Sequence, residues 1–263
     1  MPVGRFPGSS LAAYRSRLEP WRVRRARASL ALIFTAVLVA LCGAVGPAQA
    51  QEDSQHRLDI WDLKLGSAAA DLPEEAFIDY ACGTNGGPPG TPLGGFVDFA
   101  LCAPEADGLH EVAFRYDDEL EYRLLARRDL HGAETNGGTS VYDYAVIASA
   151  LFDDEGVLRG VRAVTDDRTT LRNRASAYQM AEAVLNRFGL AGWACVDVPA
   201  SRGEEPLAGQ YVNKSCSKVV DGATVAVNAH RFRRRGETET NRFTGQVVRG
   251  QFESSSEFEI HEN

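Results

Sequence analysis

The four cysteines beyond residue 50 constrain this chain more than any other feature in it. Cys82 and Cys102 enclose 19 residues, and Cys195 and Cys216 enclose 20. An even count at such spacing reads as a disulfide framework formed in an oxidising compartment. Four cysteines allow three pairings, and the matched spacings favour Cys82 with Cys102 and Cys195 with Cys216. Each closure of this length constrains the unfolded chain by about 3 kcal/mol in the chain-entropy account. The segments leading to the second cysteines also correspond. "PLGGFVDFALC" ends at Cys102 and "PLAGQYVNKSC" ends at Cys216, and Asp-Gly follows five residues later in both, at Asp107-Gly108 and Asp221-Gly222. With one-residue gaps, this reads as a duplicated unit.

The amino terminus supplies the compartment. Residues 5 to 27 carry seven arginines, and residues 28 to 50 carry no charge and end in Ala48-Gln49-Ala50. A basic stretch, a short apolar run and a small-x-small site read as a secretory signal peptide, residues 1–50, cleaved after Ala50. The rivals are weaker on the residues themselves. Arg24-Arg25 lacks the apolar residues that a twin-arginine signal places next, and Leu41 is large for the position before a lipidated cysteine at Cys42. Gly43, Gly46 and Pro47 weaken the run as a spanning helix. The chain is therefore expected to be periplasmic or secreted, in a bacterial setting, and to meet a membrane only where this segment is retained.

Seven of the 28 basic and one of the 36 acidic residues lie in 1–50, which leaves a net charge of −14 on the remainder. A surface that acidic repels nucleic acid and anionic lipid, so neither is expected as a partner.

Hydrophobic periodicity places the elements. "FIDYAC" reads as a strand with Ile78, Tyr80 and Cys82 on one face, and "FVDFALC" and "HEVAFRY" read as further strands. "YDYAVIASALF" and "VLRGVRAVT" flank Asp153-Asp154-Glu155-Gly156, a hairpin signal. "LGSAAADLPEEAF" reads as a short helix, and Thr170 to Phe188 as one long helix ending at Gly189. "WAC", "YVNKSC", "ATVAVNAH" and the alternating "QFESSSEFEI" complete the strands. The expected architecture is α+β, with two tandem helix-plus-antiparallel-sheet units, each with a local disulfide. A linker spans 51–60, the first unit 61–165 and the second 166–263. Trp61 and Trp193, which precede strand-like sequence at the start of each unit, read as packing residues.

Leu65-Gly66-Ser67 opening a helix, the two cysteine pairs and "FDDEGVLRGVRAVT" give this layout a resemblance. It is similar to the tandem fold of secreted β-lactamase inhibitor proteins and, more distantly, to small outer-membrane assembly lipoproteins. The resemblance implies a protein-binding surface on a concave sheet and transfers no contact residue.

The glycine-rich stretch after Cys82 is the first place to look for chemistry. No lysine occurs between Lys64 and Lys214, so the phosphate-binding Gly-Lys-Ser/Thr motif is missing, and no dinucleotide spacing replaces it. Cys-x19-Cys also lacks zinc-ligand spacing. The acidic clusters Asp117-Asp118-Glu119, Asp153-Asp154-Glu155 and Asp166-Asp167 lack the alternation that wraps calcium. No nucleophile elbow or zinc-protease helix is present. No metal, no cofactor and no catalytic residue is expected.

Two features remain as binding candidates. Thr-Asn-Gly-Gly occurs twice, around Asn85 and Asn136, as turns that could touch a partner from one edge. His230 adjoins Arg231, Arg233, Arg234 and Arg235 in the one basic run of an acidic chain, a dock for an acidic partner or a carboxylate. The functional expectation is an exported, disulfide-stabilised binding protein that engages another envelope or extracellular protein. The alternatives are a periplasmic small-molecule or lipid binder and an enzyme whose site no motif reveals.

Overall fold

A computed structural model describes residues 57–262, apart from 235, 237, 241–246, 250 and 251. The expectations for residues 1–56, signal peptide and first linker residues included, and for Arg235 lie outside the described residues.

The first half contains β1 (Phe77–Cys82), β2 (His110–Tyr116), α1 (Glu119–Ala126), α2 (Leu130–Asn136), β3 (Ser140–Val141), β4 (Tyr144–Phe152) and β5 (Leu158–Thr165). The second contains α3 (Leu171–Ser176), α4 (Met180–Arg187), β6 (Ala194–Asp197), β7 (Glu204–Glu205), β8 (Val212–Val220), β9 (Ala223–Arg234), β10 (Thr238–Thr240), β11 (Val247–Arg249) and β12 (Phe252–Glu262). One antiparallel sheet runs β1-β2-β4-β5-β12-β9-β8-β6, with β3 and β7 added at its sides and β10-β11 as a separate ribbon. The chain is thus mostly antiparallel sheet with few helices, and it carries both expected disulfides, Cys82–Cys102 and Cys195–Cys216.

The two halves are joined by more than the chain crossing at 165/166. β12 pairs with β5 from Glu257 opposite Val164 to His261 opposite Gly160. Trp61, near the first-half amino end, stacks on Phe258 of β12 with ring centroids 4.8 Å apart and also meets Phe188 after α4. Arg187 lies over the other side of that indole, 4.2 Å from its centroid.

Three local expectations fail for identifiable reasons. "FVDFALC" is a 3-10 helix over Phe96–Leu101, not a strand. Its three-residue repeat turns Phe96 and Phe99 together onto Phe152, leaving Val97 and Leu101 exposed. The helix expected over 170–188 is broken at Ala177–Gln179. There the hydroxyls of Ser254 and Ser256 on β12 accept from the amides of Tyr178 and Ala181, and Ser256 donates to the Ala177 carbonyl. Backbone groups captured by another strand do not complete a helical ladder. The segment "LGSAAADLPEEAF" forms only 3-10 turns at Ala69–Asp71 and Glu74–Ala76, with Pro73 between them.

β1 corrects the alternation as well. Asp79 takes φ 55° and the register slips between Ile78 and Ala81, so Phe77 and Tyr80 both enter the core while Ile78 does not. The other expected strands form, and Gly156 closes the β4–β5 hairpin at φ 76°. Five aromatic rings, Phe77, Tyr80, Phe96, Phe114 and Phe152, pack edge to face or tilted at the centre of the first half. The second half instead packs Met180, Ala181 and Val184 of α4 on Val225 and Val227 of β9.

Candidate functional site

Directly opposed residues of an antiparallel pair share a face. Phe258 and Ser256 lie beneath the helices, so the register assigns Ala163, Ala148, Val227 and Cys216 to the helix-covered face. The opposite face carries Glu111, Ser149 and Arg162 in the first half, with Glu259 of β12 opposite Arg162. In the second it carries Asn228, His230, Ser215, Ser217 and Val196.

In the first half the glycine-rich loop folds over this opposite face. The Gly83 amide donates to the Glu111 carbonyl at 2.8 Å and the Asn85 amide to Glu111 Oε2 at 2.7 Å. Gly86, at φ 76°, lies so close to Val164 that a Cβ there would fall 2.6 Å from the valine side chain. The stretch needs glycine because backbone must lie directly on the sheet.

Beneath and beside the loop Arg162 is only 5% exposed. Its guanidinium donates to both oxygens of Glu105, at 2.7 and 3.0 Å, and to Glu259 at 2.8 Å, and Glu111 lies 3.4 Å away. Burial pushes the Glu111 carboxyl up, with the Ser149, Asn85 and Arg162 interactions opposing it. The hydrogen bond from Arg162 holds the Glu105 carboxyl below the usual range. This is a neutralising knot that fixes the loop and β5 together, since a buried cation needs paired carboxylates to remain ionised.

In the second half the segment Ser201–Tyr211 packs on this face only at one end, where Glu204 and Tyr211 meet His230 and Phe232 is buried. Ser215, Ser217, Asn228 and Ser255 are exposed. At the rim, Glu204 of β7 lies beside Arg234 of β9. Glu204 Oε2 accepts from the Tyr211 hydroxyl at 2.7 Å and the Ser201 amide at 2.9 Å, with His230 Nε2 at 3.5 Å. Burial works against ionisation of Glu204, but the Ser201 amide, the Tyr211 hydroxyl and His230 together hold its carboxyl below the usual range. The His230 ring stacks on Phe232 with centroids 4.3 Å apart.

The described arginines of the basic run divide between the two faces of the sheet. Strand alternation sends Arg231 and Arg233 to the helix side and Arg234 to the opposite side. Arg231 bonds Gln210 and lies over Tyr178, Arg233 pairs with Glu205 at 2.7 Å, and Arg234 pairs with Glu253 at 2.7 Å. Nor are the two Thr-Asn-Gly-Gly segments equivalent. Asn85 sits in the loop at φ 53° with its side chain exposed, whereas Asn136 ends helix α2.

A cleft of about 410 Å³ lies where β5 begins and β12 ends, lined by Asp107, Leu109, Arg159, Glu259, His261 and Glu262. Arg159 is already bonded there to Asp153 and Glu262. Among the described residues no group of His, Cys, Asp and Glu has the arrangement to hold a metal ion. No described helix is long and apolar enough to cross a membrane.

Sequence reasoning singled out His230 but not its neighbours Glu204 and Tyr211, which reach it from separate segments. The alternation Asn213-x-Ser215-x-Ser217 was a legible sign of a polar strand face. No protein-family profile, curated protein or solved structure matches the chain.

Proposed function

We propose that this is an exported, disulfide-stabilised binding protein, and that the uncovered half of the sheet is where another envelope or extracellular protein docks. The observation that carries the reading is the bare face of Ser215, Ser217, Asn228 and Ser255, backed by a packed helix layer and flanked by the Cys195–Cys216 disulfide. Small polar side chains on a rigid sheet offer hydrogen bonds at little entropic cost, and a chain this acidic favours a partner with basic contact residues. The paired disulfides fit the oxidising compartment that the amino terminus suggests.

The duplication belongs to the same reading. The strand order β1-β2-β4-β5 followed by β12-β9-β8-β6 is the arrangement expected when two four-strand units meet through their last strands.

The test is capture of partners from the envelope fraction with the exported, oxidised protein, compared with a Ser215→Arg/Ser255→Arg variant. Loss of a captured protein at an unchanged melting temperature is the expected result, and capture identical with both proteins refutes the docking face. A second reading, a small polar ligand, rests on the cleft lined by Asp107, Leu109, Arg159, Glu259, His261 and Glu262. It predicts that Glu259→Gln abolishes a ligand-induced thermal shift without affecting partner capture.

A further inference from the structure

The two ends of the main sheet are finished differently. Outside β1 the returning loop supplies a cover: the Cys82 amide bonds the Thr91 carbonyl, the Gly90 amide the Cys82 carbonyl and the Leu93 amide the Tyr80 carbonyl, at 2.7–2.9 Å. The bulge at Asp79 distorts that edge further. Such devices keep a sheet from pairing with another chain. Beyond β6 no described strand follows, and all four of its residues are exposed.

The groups that β6 leaves open can be identified. Cys195 and Cys216 are opposed with Cα atoms 4.0 Å apart, the close spacing of a pair that does not exchange backbone bonds. The Val198 amide bonds the Asn213 carbonyl at 2.7 Å. Because bonded positions alternate, Ala194, Val196 and Val198 direct their backbone groups to β8, and Cys195 and Asp197 direct theirs outward. The side chains divide the same way. Ala194, Val196 and Val198 project from the uncovered face, with Val196 64% exposed, and Cys195 and Asp197 project from the other.

We propose that β6 pairs antiparallel with β6 of a second copy of this chain, about a two-fold axis through Val196. Only outward-facing positions can bond across such an axis, and this register puts Cys195 of each copy opposite Asp197 of the other, so both exchange amide and carbonyl. Val196 then meets Val196, and Ala194 meets Val198, in close pairs that suit β-branched and small apolar side chains. Charge selects this register over the one centred on Asp197. An axis through Asp197 would oppose two carboxylates, whereas the axis through Val196 gives each Asp197 a neutral partner and leaves it beside its own Lys214, 3.9 Å away. The strand carries the same apolar pattern in both directions, which an isologous contact requires. The contact is short, so the dimer is weak and depends on concentration.

Sedimentation velocity on the exported, oxidised protein, from roughly 1 µM to 1 mM, reads this directly. A monomer–dimer equilibrium is expected. Val196→Lys sets two like-charged side chains opposite each other on residues whose Cα atoms lie about 4.5 Å apart across the axis, and should weaken association at least tenfold while leaving the melting temperature unchanged. Val196→Glu should do the same, and an equimolar mixture of the two variants should restore a dimer containing one of each. A monomer throughout the range overturns the proposal, as does a dimer indifferent to both substitutions or a mixture that fails to recover. An edge occupied instead by a strand of a different protein would appear as a monomer here and would also overturn it.

Discussion

The uncovered face of the sheet is built in two contrasting ways. In the first half it carries Arg162, Glu105, Glu111 and Val164, and the glycine-rich loop is pinned over it through Asn85 and Gly86. In the second half the corresponding surface carries Ser215, Ser217, Asn228 and Ser255, which stay exposed, and is covered only at the end where Phe232 and His230 lie. The disulfides follow the same contrast. Cys82–Cys102 ties a loop that crosses to the other face, while Cys195–Cys216 links residues already opposed in a strand pair. Loss of side chains should therefore cost stability on the first half and binding on the second.

The largest effect is expected at Arg162. Arg162→Met leaves the nearby carboxylates without their cation, and breaking a buried ion cluster from one side costs about 3–5 kcal/mol. Urea denaturation at neutral pH reads the loss, which should shrink in acid as the carboxylates take up protons. A loss below about 1 kcal/mol would mean that the cluster is hydrated and the face less closed than described.

Gly86→Ala comes next. The new Cβ would meet both an unfavourable φ of 76° and Val164 at 2.6 Å, for a destabilisation of about 1–3 kcal/mol. Val164→Ala in the same chain should recover part of it, because the clash is relieved and the backbone strain remains.

Glu111 gives a smaller effect with a definite sign. Its folded-state carboxyl titrates above its ordinary value of 4.5 because burial favours the neutral form. The folded protein therefore holds that proton more tightly than the unfolded chain. The stability this contributes is full below pH 4.5 and is lost as pH rises through the folded-state value. Glu111→Gln should be the more stable protein at neutral pH by about 1 kcal/mol, with the two denaturation curves converging towards pH 4. A variant less stable than the parent at pH 7 would show that the ionised carboxylate is what holds Asn85.

The smallest change belongs to the bare half. Asn228→Ala and Ser217→Ala should each stay within about 0.5 kcal/mol of the parent. A larger loss at either position would mean that the second half is also covered.

Much of the fold was legible in the sequence. The cysteine spacing gave both disulfides, Asp153 to Gly156 gave the β4–β5 hairpin, and alternation in "HEVAFRY" and "SEFEI" gave strands with the right faces. The failures came where distant groups intervened: Ser254 and Ser256 break the 170–188 helix from another strand, and Gly94-Gly95 with the aromatic core turn 96–101 into a 3-10 helix. The candidate site divided likewise. Strand alternation already implied that Arg233 and Arg234 face opposite ways, but their carboxylate partners Glu205 and Glu253 lie far along the chain.

By itself the sequence determined the local geometry: turn positions and most strand faces, which depend on neighbours a few residues apart, and the two cysteine closures, which its matched spacings marked at separations of 20 and 21 residues. Only the tertiary structure decided that the strands join through β5 and β12 into one sheet, and that a glycine loop seals one half while the other stays open. Those outcomes rest on contacts such as Gly86 with Val164 and Arg162 with Glu105 and Glu259, which bring together residues that no local pattern connects.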